Sequence, residues 1–122
     1  MSRFQIKRRK ADILYSQYLR ELRPICERCF RKPSQECSHF WSRSHESTRF
    51  DLENTDALCR FCHADFTSNP GNYTEWKHKR MGEKAYKVLM VRAHTTQKRD
   101  DAKVLLWLKA VKRIVESKSI EV

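Results

Sequence analysis

Apolar residues near the N-terminus recur at the spacing of a helix. They fall at positions i, i+3, i+4 and i+7 of one face, namely Ala11, Leu14, Tyr15, Tyr18, Leu19 and Leu22. This period is typical of an amphipathic α-helix, and Pro24 cannot continue it. The pattern therefore predicts a first helix over 11–23.

The stretch from residue 25 to residue 58 has no helical period and is rich in Ser, Arg and Cys. Its short apolar runs predict two strands, Glu36–Trp41 and Thr48–Phe50, joined by the polar turn WSRSHES. A second helix should begin near Asp56 or Ala57. It should end by about Thr67, because the helix-breaking cluster TSNPGN follows.

The next segment predicts two helices separated by a glycine. Asn72 and Glu75 have the spacing of a capping box, in which each side chain bonds the backbone amide of the other residue. We therefore predict a helix over Tyr73–Met81. After Gly82 the apolar residues again follow one helical face, namely Ala85 or Tyr86, Leu89, Met90 and Ala93.

A last helix is predicted to start at Asp100 and Asp101, because acidic residues in a first turn complement its exposed amides. Its apolar stripe consists of Val104, Trp107, Leu108, Val111 and Val115. Such a stripe can be ordinary core, or it can be the contact surface of a homodimer.

The length of 122 residues suits one domain with a modest core. No repeat, low-complexity tract or long linker divides the chain. We predict a basic N-terminal arm over 1–10 and a single domain over 11–122. That domain should have its core at 24–68 and a helical C-terminal part at 72–118.

The charge of the chain is strongly positive. Lys and Arg number 26 against 15 Asp and Glu, which gives a formal net charge of +11. Such a balance favours a polyanionic partner, first of all nucleic acid, although it can also merely keep a protein soluble. The arm contributes five cations and no acid, namely Arg3, Lys7, Arg8, Arg9 and Lys10. We expect it to be mobile and to lie along a phosphate backbone.

The sequence lacks an apolar run near the roughly 20 residues that span a bilayer, and no signal-peptide block follows the basic N-terminus. An intracellular, cytoplasmic protein with no membrane partner is therefore expected. In a reducing cytosol, five cysteines are a poor disulfide framework, and their paired spacing favours a metal instead.

Four of the cysteines form two Cys-x-x-Cys pairs, Cys26 with Cys29 and Cys59 with Cys62. This spacing predicts a tetrahedral zinc site with four thiolates. A closed site of this kind has no open coordination position, so we predict a structural zinc. Cys37 is left over, either as a small half-buried residue on a strand or as a substitute for one of the four.

His39, Asn54 and His63 lie between and directly after the cysteine pairs. Each by itself would usually be a hydrogen-bonding residue. Their order is more informative, because a zinc at the cysteines would hold the hairpin that carries His39 against the helix that carries His63. One imidazole could then face a phosphate whose oxygens contact a metal held by the other.

Three segments together resemble a known nuclease family. They are KADILYSQYLRELRP, CSHFWSRSHESTRFDLENTDALCRFCH and GNYTEWKHKRMG, and they extend from about Lys10 to Gly82, more loosely to Asp101. They are similar to the phage NinG (Rap) recombination endonucleases of the HNH, or ββα-metal, superfamily. The resemblance implies an α+β, mostly helical fold: a zinc-stapled ββα-metal core with an N-terminal helix and C-terminal helices.

The resemblance also implies an activity. It is that of a metal-dependent DNA endonuclease, phage-encoded and at work in the host cytoplasm, which cuts branched or recombining DNA to leave a 5′-phosphate and a 3′-hydroxyl. His39 falls at the position of the general base, and Asn54 where a residue orients the loop or contacts the metal. His63 would ligate a catalytic Mg²⁺ or Mn²⁺, with His39 and Asn54 close to the ion.

The chain departs from this family pattern at one position. Many HNH enzymes place an acidic or histidine metal ligand directly before the base, and here that residue is Ser38. The ion could then be held by more water, or by His45 or Asp51 as substitutes. Asp51 could instead shape the turn through Asx-type hydrogen bonds.

Arg43, Arg49 and Arg60 are the predicted phosphate contacts beside the site, although each could equally be a solvated surface charge. Three function classes follow from the sequence. The first is an endonuclease for branched DNA, and the second is an HNH nuclease of restriction or packaging type that cuts ordinary duplex. The third is a zinc-containing DNA-binding module without catalysis.

Overall fold

A computed structural model describes residues 8–120, with side chains described as far as residue 113. Within this part the fold is α+β and mostly helical, as predicted. It contains five α-helices and one two-stranded sheet. The elements are α1 Lys10–Leu22, β1 Glu36–His39, β2 Thr55–Leu58, α2 Arg60–Ser68, α3 Pro70–Met81, α4 Glu83–Ala93 and α5 Asp101–Ile120.

Helix α1 lies within one residue of its predicted bounds. Its apolar face is buried through Ala11, Tyr15 and Leu19. The Tyr15 hydroxyl also forms a 2.7 Å hydrogen bond with Thr55 Oγ1. Burying a large side chain of this kind stabilises a fold by roughly 1.5–3 kcal/mol, so α1 is fixed against the hairpin both by packing and by a hydrogen bond.

The sheet is an antiparallel hairpin in which Glu36 pairs with Leu58 and His39 with Thr55. The prediction of the second strand at Thr48–Phe50 was wrong, because Glu46–Thr48 forms a 3₁₀ turn. All four side chains of β2 are buried. A strand that is covered on both faces shows no alternation of polar and apolar residues, so the sequence carried no strand signal there.

Helix α2 begins at Arg60, not near Asp56 or Ala57 as predicted, because those residues belong to β2. Cys59 occupies the N-cap position, where its Sγ accepts a hydrogen bond from the Cys62 amide at 3.4 Å. The start of α2 is therefore set by the second cysteine pair.

Helix α3 begins three residues before its predicted start, with Pro70 in its first turn. Proline suits that place because the first amides of a helix have no intrahelical partner. The predicted capping box of Asn72 and Glu75 is therefore inside the helix and does not cap it. Gly82 separates α3 from α4 at a φ of 82°, a conformation that favours glycine.

Helix α5 packs against α1. Leu108 is buried, and the Trp107 ring lies 5.4 Å from Tyr18 and 6.3 Å from Tyr15, measured between ring centroids. At least part of the predicted stripe is thus core within the chain. Val115 lies outside the residues whose side chains are described. By length and hydropathy, every described helix falls short of a bilayer-crossing segment.

A buried polar network lies under the hairpin on its α3 side. Asp56 accepts hydrogen bonds from Lys77 at 2.8 Å and from the Tyr73 hydroxyl at 2.7 Å. The Tyr73 hydroxyl in turn accepts one from Ser38 at 2.9 Å. Asp56 and Lys77 are both nearly inaccessible to solvent, so each charge depends on the other for compensation.

Removing one member of this ion pair should destabilise the fold strongly. We expect Lys77→Ala to lower the free energy of unfolding by about 3–5 kcal/mol, because it leaves the Asp56 carboxylate buried without its cation. The control is Lys79→Ala, which breaks an exposed ion pair with Glu75 one turn away and should cost no more than about 0.5 kcal/mol. Denaturant unfolding of both variants measures the difference, and equal losses would contradict the assigned role of Lys77.

Candidate functional site

The two Cys-x-x-Cys pairs meet, as the sequence predicted. The sulfur atoms of Cys26, Cys29, Cys59 and Cys62 all lie within 4.8 Å of one another. The first pair sits in the turn 25–33, which a short bridge between Ile25 and Pro33 closes. The second pair lies at the junction of β2 and α2. This cysteine cluster could hold a metal ion.

The local electrostatics suit a cation at the cysteine cluster. A hydrogen bond from the Arg31 amide lowers the pKa of Cys29 to about 6 and so favours its thiolate. Burial, together with the neighbouring sulfurs, raises the pKa of Cys62 to about 12. Four thiolates at this distance repel one another unless a cation lies between them. Four cysteine sulfurs are also the donor set that zinc takes in closed structural sites.

The cluster is sealed on its inner side by apolar side chains. Leu58 and Phe66 pack against it, and the Phe66 ring stacks on Tyr73 at 4.4 Å between centroids. The Arg28 guanidinium covers the Phe66 ring at 4.3 Å and bonds Asp65 at 2.7 Å. This packing around four protein donors fits a structural ion better than a catalytic one.

Cys37 lies outside the cysteine cluster, on β1. It is half-buried, as predicted for a residue on a strand, and burial raises the pKa of its thiol to about 12. The alternative prediction, that Cys37 replaces one of the four clustered cysteines, was wrong.

A cleft of about 580 Å³ opens beside the hairpin. It is lined by Arg8, Asp12, Ser16, Arg20, Gln35, Glu36, Cys37, His39, Ser42, Arg43 and His63. Two of the three residues that the sequence singled out, His39 and His63, therefore lie in one cleft. They come from different elements, His39 from the end of β1 and His63 from α2.

His39 is held in one tautomer. Its Nε2 lies 2.9 Å from the Arg49 carbonyl oxygen, and since a carbonyl can only accept, Nε2 carries the proton. The Nδ1 atom then has the free lone pair. Burial lowers the pKa of His39 to about 4, so the ring is neutral at pH 7. A neutral imidazole with a free nitrogen can accept a proton.

Arg49 was a predicted DNA contact, and that prediction was wrong because its side chain is buried. The guanidinium bonds the Asp12 carboxylate at 2.9 and 2.6 Å and the Arg43 carbonyl at 3.0 Å. Burial alone would raise the pKa of the Asp12 carboxyl, but the hydrogen bonds from Arg49 lower it below its usual value. The pair fixes the backbone that holds His39.

His63 pairs with a carboxylate that the sequence did not single out. Its Nδ1 lies 2.7 Å from Glu36 Oε1, so Glu36 accepts the Nδ1 proton and leaves the Nε2 lone pair available. Metal-binding histidines commonly donate their second ring nitrogen to a carboxylate in this manner. The only sequence signal for Glu36 was an acidic residue three positions before His39.

Asn54 is fully buried and faces the loop, not the cleft. Its Oδ1 accepts from the Trp41 amide at 2.8 Å, while its Nδ2 donates to the Trp41 and Thr48 carbonyls at 2.9 and 3.0 Å. Of the two predicted roles, this geometry supports loop orientation. The prediction of Asn54 as a direct contact of a metal ion was wrong.

Ser38 and both predicted substitute ligands lie away from the cleft. Ser38 points to Tyr73 in the core. His45 Nδ1 bonds the Ala93 carbonyl at 2.9 Å. Asp51 accepts from Arg92 at 2.9 Å and from the Glu53 amide at 2.9 Å, which is the predicted Asx-type turn bond. The substitute role of His45 and Asp51 in ion binding was therefore wrong.

The basic arm is only partly as predicted. Lys7 lies outside the described residues, while Arg8 and Lys10 are exposed. Arg9 does not belong to a free arm, because its guanidinium bonds Glu46 at 2.9 Å and its amide bonds Asp12. Among the residues that the structure describes, Arg8, Arg20 and Arg43 are the lysines and arginines that line the cleft. Arg60 is exposed beside them.

Metal analysis tests the cysteine cluster. We expect one metal ion per chain in protein purified without added metal, and its loss in Cys59→Ser, because three sulfurs do not close the site. Cys37→Ser is the matched control and should keep the ion, since Cys37 lies outside the cluster. Inductively coupled plasma mass spectrometry gives the content, and a metal-free folded chain would refute the site.

The lowered pKa of His39 should make stability depend on pH. Below about pH 6.5 the unfolded chain protonates this ring while the folded chain does not, so the stability present above pH 6.5 is lost as pH falls towards 4. The loss should approach about 1.4 kcal/mol per pH unit. Urea unfolding of the native chain and of His39→Gln between pH 5 and 7.5 isolates the contribution of His39 to the free energy of unfolding. Parallel pH profiles of the two proteins would contradict this contribution.

Comparisons with protein-family models, curated proteins and solved structures found nothing that matches this chain. Two features of the chain itself therefore point to its function: the cysteine cluster, and the cleft that His39 and His63 share.

Proposed function

We propose that the chain is an HNH-type, zinc-stapled endonuclease that hydrolyses phosphodiester bonds in branched DNA. The observation that carries this proposal is the shared cleft of His39 and His63 at a hairpin followed by a helix, with the cysteine cluster directly behind it. The order strand, loop, strand, helix agrees with a ββα-metal core.

His39 would act as the general base. Its Nδ1 takes a proton from a water molecule, and the water oxygen forms a bond to phosphorus as the bond from phosphorus to the 3′-oxygen breaks. The leaving oxygen acquires a proton from solvent, which gives a 5′-phosphate and a 3′-hydroxyl. The Arg49 carbonyl keeps the ring oriented during this step, because it holds the opposite nitrogen.

His63 is the residue that would hold a catalytic Mg²⁺ or Mn²⁺, through the Nε2 lone pair. Glu36, which accepts the Nδ1 proton on the other side of the ring, would orient this ligand. A site with so few protein ligands fits these ions, since Mg²⁺ usually keeps several waters and Mn²⁺ accepts both oxygen and imidazole. When bound, the ion would stabilise negative charge on the phosphate.

The DNA backbone would be bound by cations around the cleft. Arg8, Arg20 and Arg43 line it. Lys10 and Arg60 are exposed, and each is close in sequence to residues that line the cleft. Phosphates in contact with these side chains would release counterions, so binding should weaken with salt. Branched DNA is proposed from the resemblance to recombination endonucleases. Symmetrical cutting of a junction would need two copies of the chain.

A second candidate function is a DNA-binding module without catalysis. Ser38 favours it, because the residue next to the proposed base is turned into the core and offers no ligand to an ion. In that case the cysteine cluster and the cations would remain, and cleavage would be absent.

An assay with two substrates separates these functions. The chain should cut a four-way junction with Mg²⁺ or Mn²⁺ and leave a matched linear duplex largely intact, with no cutting in a chelator. His39→Ala should lower the rate by roughly 10²–10⁴-fold while DNA binding persists, because it removes only the base.

The control for this assay is His78→Ala, which changes a histidine on α3 outside the cleft and should keep full activity. Equal cutting of junction and duplex would favour an ordinary duplex nuclease. Cutting of neither substrate by folded, metal-loaded protein would refute catalysis.

A further inference from the structure

Two phenylalanine rings are exposed on the outer side of the cysteine cluster. Phe61 in the first turn of α2 is 70% exposed, and Phe30 in the turn after Cys29 is 67% exposed. Both rings belong to the segments that the four cysteines hold together, so their backbones have fixed positions.

The backbone at Phe30 is unusual. Its φ of 56° lies in the left-handed region, which glycine adopts without strain and a bulky aromatic residue rarely adopts. Strain of this kind persists where the surroundings impose it, and it is concentrated at functional sites. The turn thus presents an aromatic ring to solvent at a position where glycine would be easier to accommodate.

Positive charge lies beside the Phe61 ring. A groove of about 420 Å³ beside Phe61 is lined by Arg28, Cys29, Arg31, Lys32, Cys59, Phe61, Cys62 and Asp65. The one acidic lining residue, Asp65, is bonded to Arg28 at 2.7 Å. Lys32 Nζ lies 5.5 Å from the centroid of the Phe61 ring. A ligand for this surface would combine a flat ring with negative charge, as a nucleotide unit does.

The aromatic surface and the proposed catalytic cleft lie on different sides of α2. Phe61 and His63 are two residues apart on this helix, so their side chains leave it about 200° apart. Arg60 lies between the two areas: its amide bonds Gln35 Oε1 at 3.0 Å, and its Nε is 3.8 Å from Glu36. Both Gln35 and Glu36 line the cleft. A strand bound in the cleft would reach Phe61 by passing over Arg60 and around the first turn of α2.

We propose that Phe61 and Phe30 stack on unpaired bases of the DNA that the cleft binds, while Arg31, Lys32 and Arg60 bind the phosphates beside them. This inference rests on the proposed DNA-directed function, and it makes single-stranded character a requirement of the substrate. In closed duplex the base faces are covered by their neighbours, whereas unpaired bases at a flap, fork or open junction can stack on aromatic side chains.

Equilibrium binding tests the aromatic surface without any cleavage. The probes are dye-labelled DNAs in Ca²⁺: a 20-nucleotide single strand of thymidine, a duplex with a single-stranded flap, and a blunt duplex. The native chain should prefer the first two. Phe61→Ala should weaken their binding by about 5- to 150-fold, the range of one lost base stack, and should change binding of the blunt duplex less than about twofold.

Matched variants separate stacking from folding and from general stickiness. Phe61→Trp should keep the preference, because it retains a stacking ring, and Phe30→Ala should reduce it as Phe61→Ala does. Leu106→Ala removes an apolar side chain that is 68% exposed on α5 and should have no effect. Metal content and circular dichroism of each variant confirm that the fold and the cysteine cluster are intact.

Two outcomes would overturn the inference. One is that Phe61→Ala binds all three DNAs like the native chain. The other is that Phe61→Ala loses concentration-dependent self-association, or binding to a protein, and nothing else. Cutting of junctions with an unchanged preference in Phe61→Ala would refute the aromatic surface and leave the nuclease proposal standing. Selective binding that depends on Phe61, without any cutting, would support the aromatic surface and refute the nuclease proposal.

Discussion

The fold depends on the meeting of two short cysteine turns that are separated by 29 residues in the chain. Glu27 reinforces that contact, because its amide donates to the Ala57 carbonyl at 2.9 Å and its carboxylate accepts from the Ala57 amide at 2.7 Å. The first turn is thereby joined to β2, and the second turn sets the start of α2. Since α2 carries His63 and β1 carries Glu36, the same constraint determines where these two side chains meet.

A second set of contacts reaches the cleft from outside the hairpin. Helix α1 supplies Asp12, whose buried ion pair with Arg49 holds the loop between β1 and β2. The Arg49 carbonyl then fixes the tautomer of His39, while Asn54 closes the same loop from within. Removing either partner of a buried ion pair leaves an uncompensated charge. The N-terminal helix is therefore part of what positions the proposed base.

The alternation of side chains along β1 explains how one short strand serves both the core and the cleft. Cys37 and His39 line the cleft, whereas Ser38 points to the opposite face and joins the network of Tyr73, Asp56 and Lys77. An acidic residue at position 38 in this backbone would add a second carboxylate beside the buried Asp56. The serine at this position is thus consistent with the core around it. Glu36 is an exception to the alternation: it lies at the start of the strand, and its carboxylate reaches the cleft, where it bonds His63.

The sequence by itself determined the features that depend on local spacing: the periodic helices α1 and α5, and the pairing of four cysteines with Cys37 left over. It pointed to His39 and His63 through their order relative to those cysteines. Only the tertiary structure decided that β2 lies at Thr55–Leu58, because a strand buried on both faces has no alternation. It also decided that Arg49 is buried, that Asn54 holds a loop, and that Glu36 joins His63. These roles depend on which side of the hairpin each residue faces and on which helix covers that side, and residue spacing along the chain does not encode either.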